Sequence, residues 1–162
     1  MDSKLNISEQ WSKLDDQVCF ILYSTSRAII RAFAPYLEKL GITYPQYLVL
    51  FTLYEFKCLT VNEIGNKLFL DSGTLTPLLK RMEKSGYIVR ERSKEDERKV
   101  LISLTDDGIE MRKRVNDIPK IIAERSGLQL EELHRIKDEI KTICDRLHGS
   151  ESGKRVFNST FG

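Results

Sequence analysis

The order of helix start and stop signals in the stretch 60–105 constrains this chain more than any other feature. Thr60 and Glu63 have the spacing of a capping box, so a short helix is predicted to begin there. Asp71 is a good N-cap for a second helix, and Gly86 is well placed to end it. The spacing therefore predicts two short helices joined by a tight connection.

A charged hairpin is predicted to follow these helices. Residues 87–92 alternate between apolar and polar side chains, and residues 100–104 return as a second apolar run. The five charged residues at 94–98 predict a solvated tip between the two strands. Two helices followed by a hairpin form a winged helix-turn-helix, so the predicted fold class is mainly α with a small β wing.

The second predicted helix separates an apolar face from a face of hydroxyl and basic side chains. Hydroxyls can bond base edges or phosphates, and lysine and arginine neutralise the phosphate backbone. A basic wing suits neighbouring phosphates or the minor groove. The stretch 60–105 has nine Lys/Arg against seven Asp/Glu, so the prediction depends on element order and local clustering. The inward residues are Leu75, Leu78, Leu79 and Met82. The expected DNA contacts are Ser72, Thr74, Thr76, Pro77, Lys80, Arg81 and Lys84 on the helix, and Arg90, Arg92, Arg98 and Lys99 in the wing.

Composition and cysteine usage narrow the protein class. The 162 residues, 41% hydrophobic and 31% charged, suit one helix-rich domain. No apolar run approaches a membrane span and the N-terminus lacks signal-peptide features, so a cytoplasmic protein without membrane partners is expected. Cys19, Cys58 and Cys144 are widely spaced without a CxxC, which argues against a disulfide framework or a zinc site. Each is expected to be a small buried hydrophobe, and no metal or cofactor is expected.

Helical patterns flank the helix-turn-helix on its N-terminal side. Apolar residues repeat at three and four from Leu14, with two aspartates in the first turn, and a second apolar row predicts burial on two sides. Pro35 is expected to break or kink this helix, and Gly41 to close it. A strongly apolar helix is predicted over 44–57 as the centre of the DNA-reading lobe, and Cys58 with Leu59 is expected to add a short strand.

Two more helices are predicted after the wing. Thr105 is an N-cap for a long helix through Ile118, bent at Pro119, and a breaker at 126–127 precedes a last helix. That helix has a seam of nearly coiled-coil spacing from Leu130 to Leu147.

We therefore expect a single domain over 1–148. It comprises a DNA-binding lobe at 43–105 and dimerisation helices at 14–41 and 106–148. Residues 1–13 are expected to form a loosely tied arm and residues 149–162 a disordered tail. A homodimer would place two recognition helices about 34–36 Å apart, to match a pseudo-palindromic duplex.

Several segments resemble a known family. DSGTLTPLLKRME at 71–83 and KEDERKVLISLT at 94–105 are similar to the organic-hydroperoxide-sensing branch of the MarR family of dimeric repressors. LDDQVCFILYSTSR at 14–27 and GITYPQYLVL at 41–50 are similar to the same branch. The resemblance covers roughly 14–147, which leaves out only the arm and the tail.

The resemblance implies a redox role for Cys19, because the N-terminal cysteine senses peroxide in that branch. A thiolate attacks a hydroperoxide to give a sulfenic acid, which a second thiol captures as a mixed disulfide. The site must stabilise the thiolate through hydrogen bonds or a helix N-terminus. The branch supplies tyrosine hydroxyls across the dimer interface; one matching position is Tyr44, and the other carries Phe33, which has no hydroxyl. Tyr36 is a candidate substitute, and Tyr23 resembles part of the same pocket.

The resemblance also implies roles in the wing and a thiol partner. Arg98 corresponds to the arginine that enters the minor groove, with Asp96 bracing it. Cys144 does not align with the resolving cysteine of two-cysteine members, so an external low-molecular-weight thiol is the expected partner. The expected function is a homodimeric repressor of double-stranded DNA that is released when an organic hydroperoxide or another oxidant reacts with Cys19.

Two alternatives to this function stay open. One is a regulator of the same family controlled by a non-covalent small aromatic ligand, with Cys19 as a core residue. The other is a thiol peroxidase, although the chain has no basic residue next to Cys19 and devotes a whole module to DNA. We therefore do not expect an enzyme, and no catalytic residues are assigned.

Overall fold

The computed structural model of the protein describes residues 13–96 and 98–149, so most of the predicted arm and tail lies outside the described residues. The chain divides into two compact units, Met1–Tyr44 and Pro45–Gly162. The predicted class, mainly α with a small β wing, is confirmed. The helices are α1 (Val18–Lys39), α2 (Tyr44–Phe56), α3 (Val61–Leu68), α4 (Ser72–Lys84), α5 (Asp106–Arg114), α6 (Lys120–Ser126) and α7 (Leu130–Gly149), and the strands are β1 (Cys58–Thr60), β2 (Ile88–Arg92) and β3 (Val100–Leu104).

Helix α1 begins later than its apolar pattern predicts. Leu14–Asp16 form a 3-10 turn, and Gln17 is extended at φ −86° and ψ 117°, so the helix begins at Val18. The two aspartates therefore lie in the preceding turn and not in the first turn of α1. The apolar repeat continues through the turn because residues spaced by three also align in a 3-10 helix.

Pro35, which was expected to break or kink the first helix, does not break it. Helix α1 continues through Pro35 to Lys39, because one missing amide removes only one hydrogen bond from the ladder. The helix ends at the predicted glycine. Gly41 has φ +69°, and the Ile42 amide donates to the Leu37 carbonyl at 3.1 Å across the final turn.

The start and stop signals of the DNA-reading lobe are confirmed. The Glu63 amide donates to the Thr60 hydroxyl at 3.3 Å, and the Thr60 amide donates to the Glu63 carboxylate at 2.7 Å. At the start of α4, the Asp71 carboxylate accepts the Thr74 amide at 2.9 Å. Gly86, at φ +78°, follows the end of the same helix. These caps fix where both helices of the helix-turn-helix begin and where α4 ends.

The wing belongs to a three-stranded antiparallel sheet with the order β1-β3-β2. Strand β3 pairs with β2 from Ile88 opposite Leu104 to Arg92 opposite Val100, which confirms the predicted hairpin. Cys58 pairs with Ser103, so the predicted short strand beside the wing is also confirmed. The sheet therefore joins the chain just before α3 to the chain that returns from the wing.

The predicted long helix after the wing is interrupted, which corrects the expectation of a single bent helix. Thr105 caps α5 as predicted, because its hydroxyl accepts the Gly108 amide at 3.1 Å. The helix ends at Arg114, and residues 115–119 form turns with hydrogen bonds between residues three apart. Pro119 has no amide to continue the ladder and disfavours helical backbone before it. A second helix, α6, therefore starts at Lys120, and Gly127, at φ +69°, separates it from α7.

Candidate nucleic-acid interface and sensor cysteine

Helix α4 presents the predicted polar face to solvent. Its inward residues Leu75, Leu78, Leu79 and Met82 are all buried, which confirms the core face. Thr76 is half-buried. The exposed positions among the predicted DNA contacts on this helix are Ser72, Thr74, Pro77, Lys80, Arg81 and Lys84. The helix therefore offers hydroxyls near its N-terminus and cations nearer its C-terminus, the types that meet base edges and phosphates.

The turn between α3 and α4 depends on residues that the sequence analysis missed. A Cβ at Gly65 would lie 2.7 Å from the Leu70 carbonyl oxygen, so only glycine allows this close approach. Phe69 adopts a left-handed conformation at φ +54°, which is rare for a bulky side chain. The signal available in the sequence was the glycine inside a predicted helix. These residues set the angle at which α4 leaves the turn.

The tip of the wing is held by local hydrogen bonds. The Ser93 hydroxyl accepts the amides of Glu95 and Asp96, at 3.2 and 3.3 Å. The Asp96 carboxylate accepts the Arg98 amide at 3.1 Å, so Asp96 braces the backbone of Arg98. Arg98 and Lys99 are exposed, and Asp96 is half-buried. The described residues of the wing tip therefore present two exposed cations, Arg98 and Lys99.

The two arginines of strand β2 are placed differently. Arg92 is exposed, as a DNA contact requires. The Arg90 side chain is only 22% exposed, and its Nη1 donates to the Glu83 carboxylate on α4 at 3.5 Å. Its Nε is buried without a hydrogen-bond partner among the described residues. Arg90 thus lies against the lobe and does not extend freely from the wing.

The expectation that the cysteines are buried is wrong for all three. Cys19 and Cys58 are exposed, Cys144 is half-buried, and none of the three forms a disulfide within the described residues. Cys19 lies in the first turn of α1, where the backbone amides have no acceptor inside the helix. Cys58 lies on strand β1. Exposure and helix position together distinguish Cys19 from the other two.

The predicted pocket residues around Cys19 include one aromatic pair. The rings of Phe33 and Tyr44 are 5.9 Å apart between centroids and tilted by 43°. Phe33 is buried, and burial raises the pKa of the Tyr44 phenol. Tyr23 and Tyr36 are exposed, and the Tyr23 hydroxyl accepts a hydrogen bond from Arg27 at 3.1 Å. Tyr23 is one turn after Cys19, so these two side chains share a face of α1.

Two helices carry large apolar side chains that a single chain leaves exposed. On α1 these are Val18, Ile21, Tyr23, Ile30 and Tyr36. On α7 they are Leu130, Ile136, Ile140, Ile143 and Leu147, and Leu130 and Leu147 are 60% and 64% exposed. Several large exposed apolar side chains on one helix are typical of an interaction surface. No described helix is both long and apolar enough to cross a membrane. Within 13–96 and 98–149, no group of three or more His, Cys, Asp or Glu residues could hold a metal ion.

Known proteins are similar to this chain in sequence and in fold. Residues 31–115 match the family described as transcriptional regulator SarA/Rot. An organic hydroperoxide resistance transcriptional regulator of Bacillus subtilis strain 168 is 51% identical over 136 residues, which are 84% of this chain and 92% of that protein.

Solved structures of regulators on DNA have the same fold. AbfR is a Staphylococcus epidermidis protein. The structure of reduced AbfR bound to DNA matches this chain with a TM-score of 0.71 at 38% identity, over 88% of this chain and 99% of AbfR. Overoxidized AbfR bound to DNA matches with a TM-score of 0.68 at 36% identity, over 86% and 98% of the two chains. A MarR mutant of E. coli with operator DNA matches with a TM-score of 0.69 at 26% identity, over 76% and 90%.

These relatives are transcriptional regulators, and the likeness extends over the winged helix and the helices on both sides of it. A helix-turn-helix places its second helix in the major groove of double-stranded DNA, and α4 is the second helix of this motif. The chain therefore belongs to the MarR family of DNA-binding transcriptional regulators, in the branch of the organic hydroperoxide regulators.

Proposed function

We propose that this protein is a homodimeric repressor that binds a pseudo-palindromic duplex and releases it when Cys19 is oxidised by an organic hydroperoxide or a related oxidant. The observation that carries the sensor role is the exposed Cys19 thiol in the first turn of α1. A helix N-terminus favours negative charge, so this position suits a thiolate. The similarity to an organic hydroperoxide resistance regulator and to AbfR, which has a structure in an overoxidized form, supports the same role.

The proposed reaction converts the thiolate into a sulfenic acid. The Cys19 sulfur attacks one oxygen of the hydroperoxide, a sulfur–oxygen bond forms, and the oxygen–oxygen bond breaks. The leaving alkoxide takes a proton and departs as the alcohol. A low-molecular-weight thiol then attacks the sulfenic sulfur, which yields a mixed disulfide and water.

Dimerisation is proposed from the exposed apolar faces of α1 and α7. Each face buries its apolar side chains if it meets a second copy of the chain, and burial of this area is the main driving force of association. A dimer also brings two α4 helices to one duplex, which a single helix-turn-helix needs for high affinity. Oxidised Cys19 adds a larger polar group to a packed interface, and the resulting rearrangement would move the two recognition helices.

The proposal is tested by DNA binding before and after oxidation. The probe is a duplex from the region upstream of the protein's own gene, and the oxidant is cumene hydroperoxide with a small thiol present. Reduced wild type and Cys19→Ser are expected to bind equally, and only wild type is expected to release the duplex. Cys58→Ser is the matched control, because Cys58 is also an exposed thiol and this variant should respond like wild type.

Two results would contradict the sensor role. If wild type and Cys19→Ser both bind and neither responds to the oxidant, control by a non-covalent ligand replaces it. If Cys19 consumes many equivalents of hydroperoxide per protein with a thiol reductant, the protein acts as a thiol peroxidase. A stoichiometric titration of oxidant separates this outcome from one-time sensing.

A further inference from the structure

Arg90 lies on the inner face of the wing sheet and is less exposed than Arg92 and Arg98. Along β2 the side chains alternate, so Arg90 shares a face with the buried Ile88. Its cross-strand partner is Ile102, which has no exposed surface. Directly opposed residues of an antiparallel pair point to the same side of the sheet, so the Arg90 stem runs along the core.

The end of this side chain is held at the recognition helix. Arg90 Nη1 lies 3.5 Å from Glu83 Oε2, and Glu83 is in the last turn of α4 with a side chain that is 43% exposed. The guanidinium is rigid and planar, so holding Nη1 at Glu83 while Nε is buried leaves little of the group for a phosphate. Arg90 therefore connects the C-terminal turn of α4 to the second strand of the sheet.

We infer that Arg90 is a positioning residue and not a DNA contact: through Glu83 it sets the orientation of the recognition helix relative to the wing. This inference rests on the proposed function, since it concerns how the same DNA-binding surface is built. It replaces the sequence-based assignment of Arg90 as a DNA contact. It also gives a role to Glu83. Without such a role, an acidic residue on the recognition helix would only repel the DNA phosphates.

The two roles of an arginine leave different signatures in salt titrations. A phosphate contact releases counterions, so removing it lowers the slope of log affinity against log salt by about one per arginine, hence about two per dimer. A positioning residue changes specific affinity and leaves that slope unchanged. A neutral variant of Glu83 separates the two roles further. If Glu83 only repels phosphates, this variant should bind DNA more tightly. If Glu83 positions Arg90, the variant should bind more weakly.

The experiment measures dissociation constants of reduced protein over a range of KCl concentrations. The probes are the upstream duplex and a scrambled duplex of equal length. The variants are Arg90→Gln, Glu83→Gln and their double, with Arg98→Gln and Arg92→Gln as matched controls from the exposed part of the wing. Urea unfolding checks each variant, and Glu83→Gln keeps the buried Arg90 stem in place if Arg90→Gln folds poorly.

We expect Arg90→Gln and Glu83→Gln each to weaken binding of the upstream duplex about two- to fivefold, the range that a partly exposed ion pair supports. The double variant should be no weaker than the worse single variant, because both remove one interaction. Salt slope and binding of the scrambled duplex should be unchanged, whereas Arg98→Gln should lower the slope and weaken both duplexes.

Three results would overturn the inference. Arg90→Gln could lower the salt slope as Arg98→Gln does, Glu83→Gln could tighten binding, or the two single effects could add in the double variant. A wild-type protein that does not distinguish the upstream duplex from the scrambled one would instead contradict binding to this operator, and the proposed function would fail first.

Discussion

At the scale of single residues, burial of Tyr44 affects whether its hydroxyl can donate a hydrogen bond in the predicted sensor pocket. Burial raises the pKa of this phenol, so Tyr44 keeps its proton at physiological pH and remains a hydrogen-bond donor. Its aromatic neighbour Phe33 has no hydroxyl to share that task. If Cys19 is the sensor, Tyr44 is the matching donor that remains in the pocket implied by the resemblance.

Replacement of Tyr44 by phenylalanine is therefore expected to slow oxidation of Cys19. A hydrogen bond to a charged group contributes about 1.5–3 kcal/mol, so the rate should fall about tenfold or more. The measurement is the rate of thiol loss after mixing with cumene hydroperoxide. Tyr54→Phe is the control, because Tyr54 is exposed and lies outside the predicted pocket. Equal rates in wild type and Tyr44→Phe would mean that Tyr44 does not stabilise the thiolate.

Local periodicity correctly predicted the burial of side chains that depends on one helix alone. It failed for side chains whose position depends on packing against a second element. Leu75, Leu78 and Met82 follow from the period of α4, and all are buried. Arg90 fits the pattern of a charged strand equally well, but its contact with Glu83 depends on how β2 packs against α4. The exposure of Cys19 could not be predicted from the apolar pattern of α1. Such a pattern does not show which of its residues are buried by other parts of the same chain.

At the scale of elements, the N-cap of the recognition helix links stability to pH. Hydrogen bonds from the Thr74 hydroxyl, first, and the Thr74 amide, second, lower the pKa of Asp71 below its usual 3.8. A carboxylate with a depressed folded-state pKa stabilises the protein above its unfolded value. That contribution is lost as pH falls through the folded-state pKa.

The variant Asp71→Asn keeps a capping side chain but removes the charge. Wild type should be more stable than this variant above about pH 5, and the difference should shrink as pH falls below about 4. Urea unfolding across this range measures it. Thr74→Val removes the main cause of the pKa shift and should reduce the pH dependence. A difference between wild type and Asp71→Asn that stays constant with pH would contradict this account.

Two prolines illustrate how far element boundaries follow from sequence. The same rule predicts a break or kink at Pro35 and a bend at Pro119, but α1 continues through Pro35 while the chain forms turns before Pro119. A single lost hydrogen bond is small against the tertiary burial of a helix, and Leu37, after Pro35, is buried. Around Pro119 the turn itself keeps Val115 and Ile118 buried, so packing does not require a continuous helix.

At the scale of the whole molecule, the apolar seam of α7 was visible in the sequence, but its partner was not. In the predicted seam, Leu133 and Cys144 are half-buried, and the exposed residues are Leu130, Ile136, Ile140, Ile143 and Leu147. The sequence shows that one face of the helix is apolar. It does not show which surface packs against that face, because this surface can belong to a second copy of the chain. Homodimer formation through this face therefore remains a proposal that one substitution can test.

The glutamate variant Ile140→Glu is expected to separate the dimer and to weaken DNA binding. Ile140 lies within the seam of α7 and is 41% exposed in the single chain, so a second copy would bury it. A charge buried without a partner costs several kcal/mol, which is enough to raise the dimer dissociation constant by orders of magnitude. Sedimentation velocity at micromolar protein should show a monomer, and affinity for the upstream duplex should fall.

Thr142→Glu is the matched control for this seam, because it adds the same charge to the same helix on the opposite face. Thr142 is exposed, and its hydroxyl donates a hydrogen bond to the Asp138 carbonyl of the same helix. This variant should remain dimeric and bind DNA like wild type, apart from a small uniform loss from the added negative charges. If Ile140→Glu stays dimeric, α7 is not the interface. If it becomes monomeric but keeps its operator affinity, two recognition helices are not needed for binding.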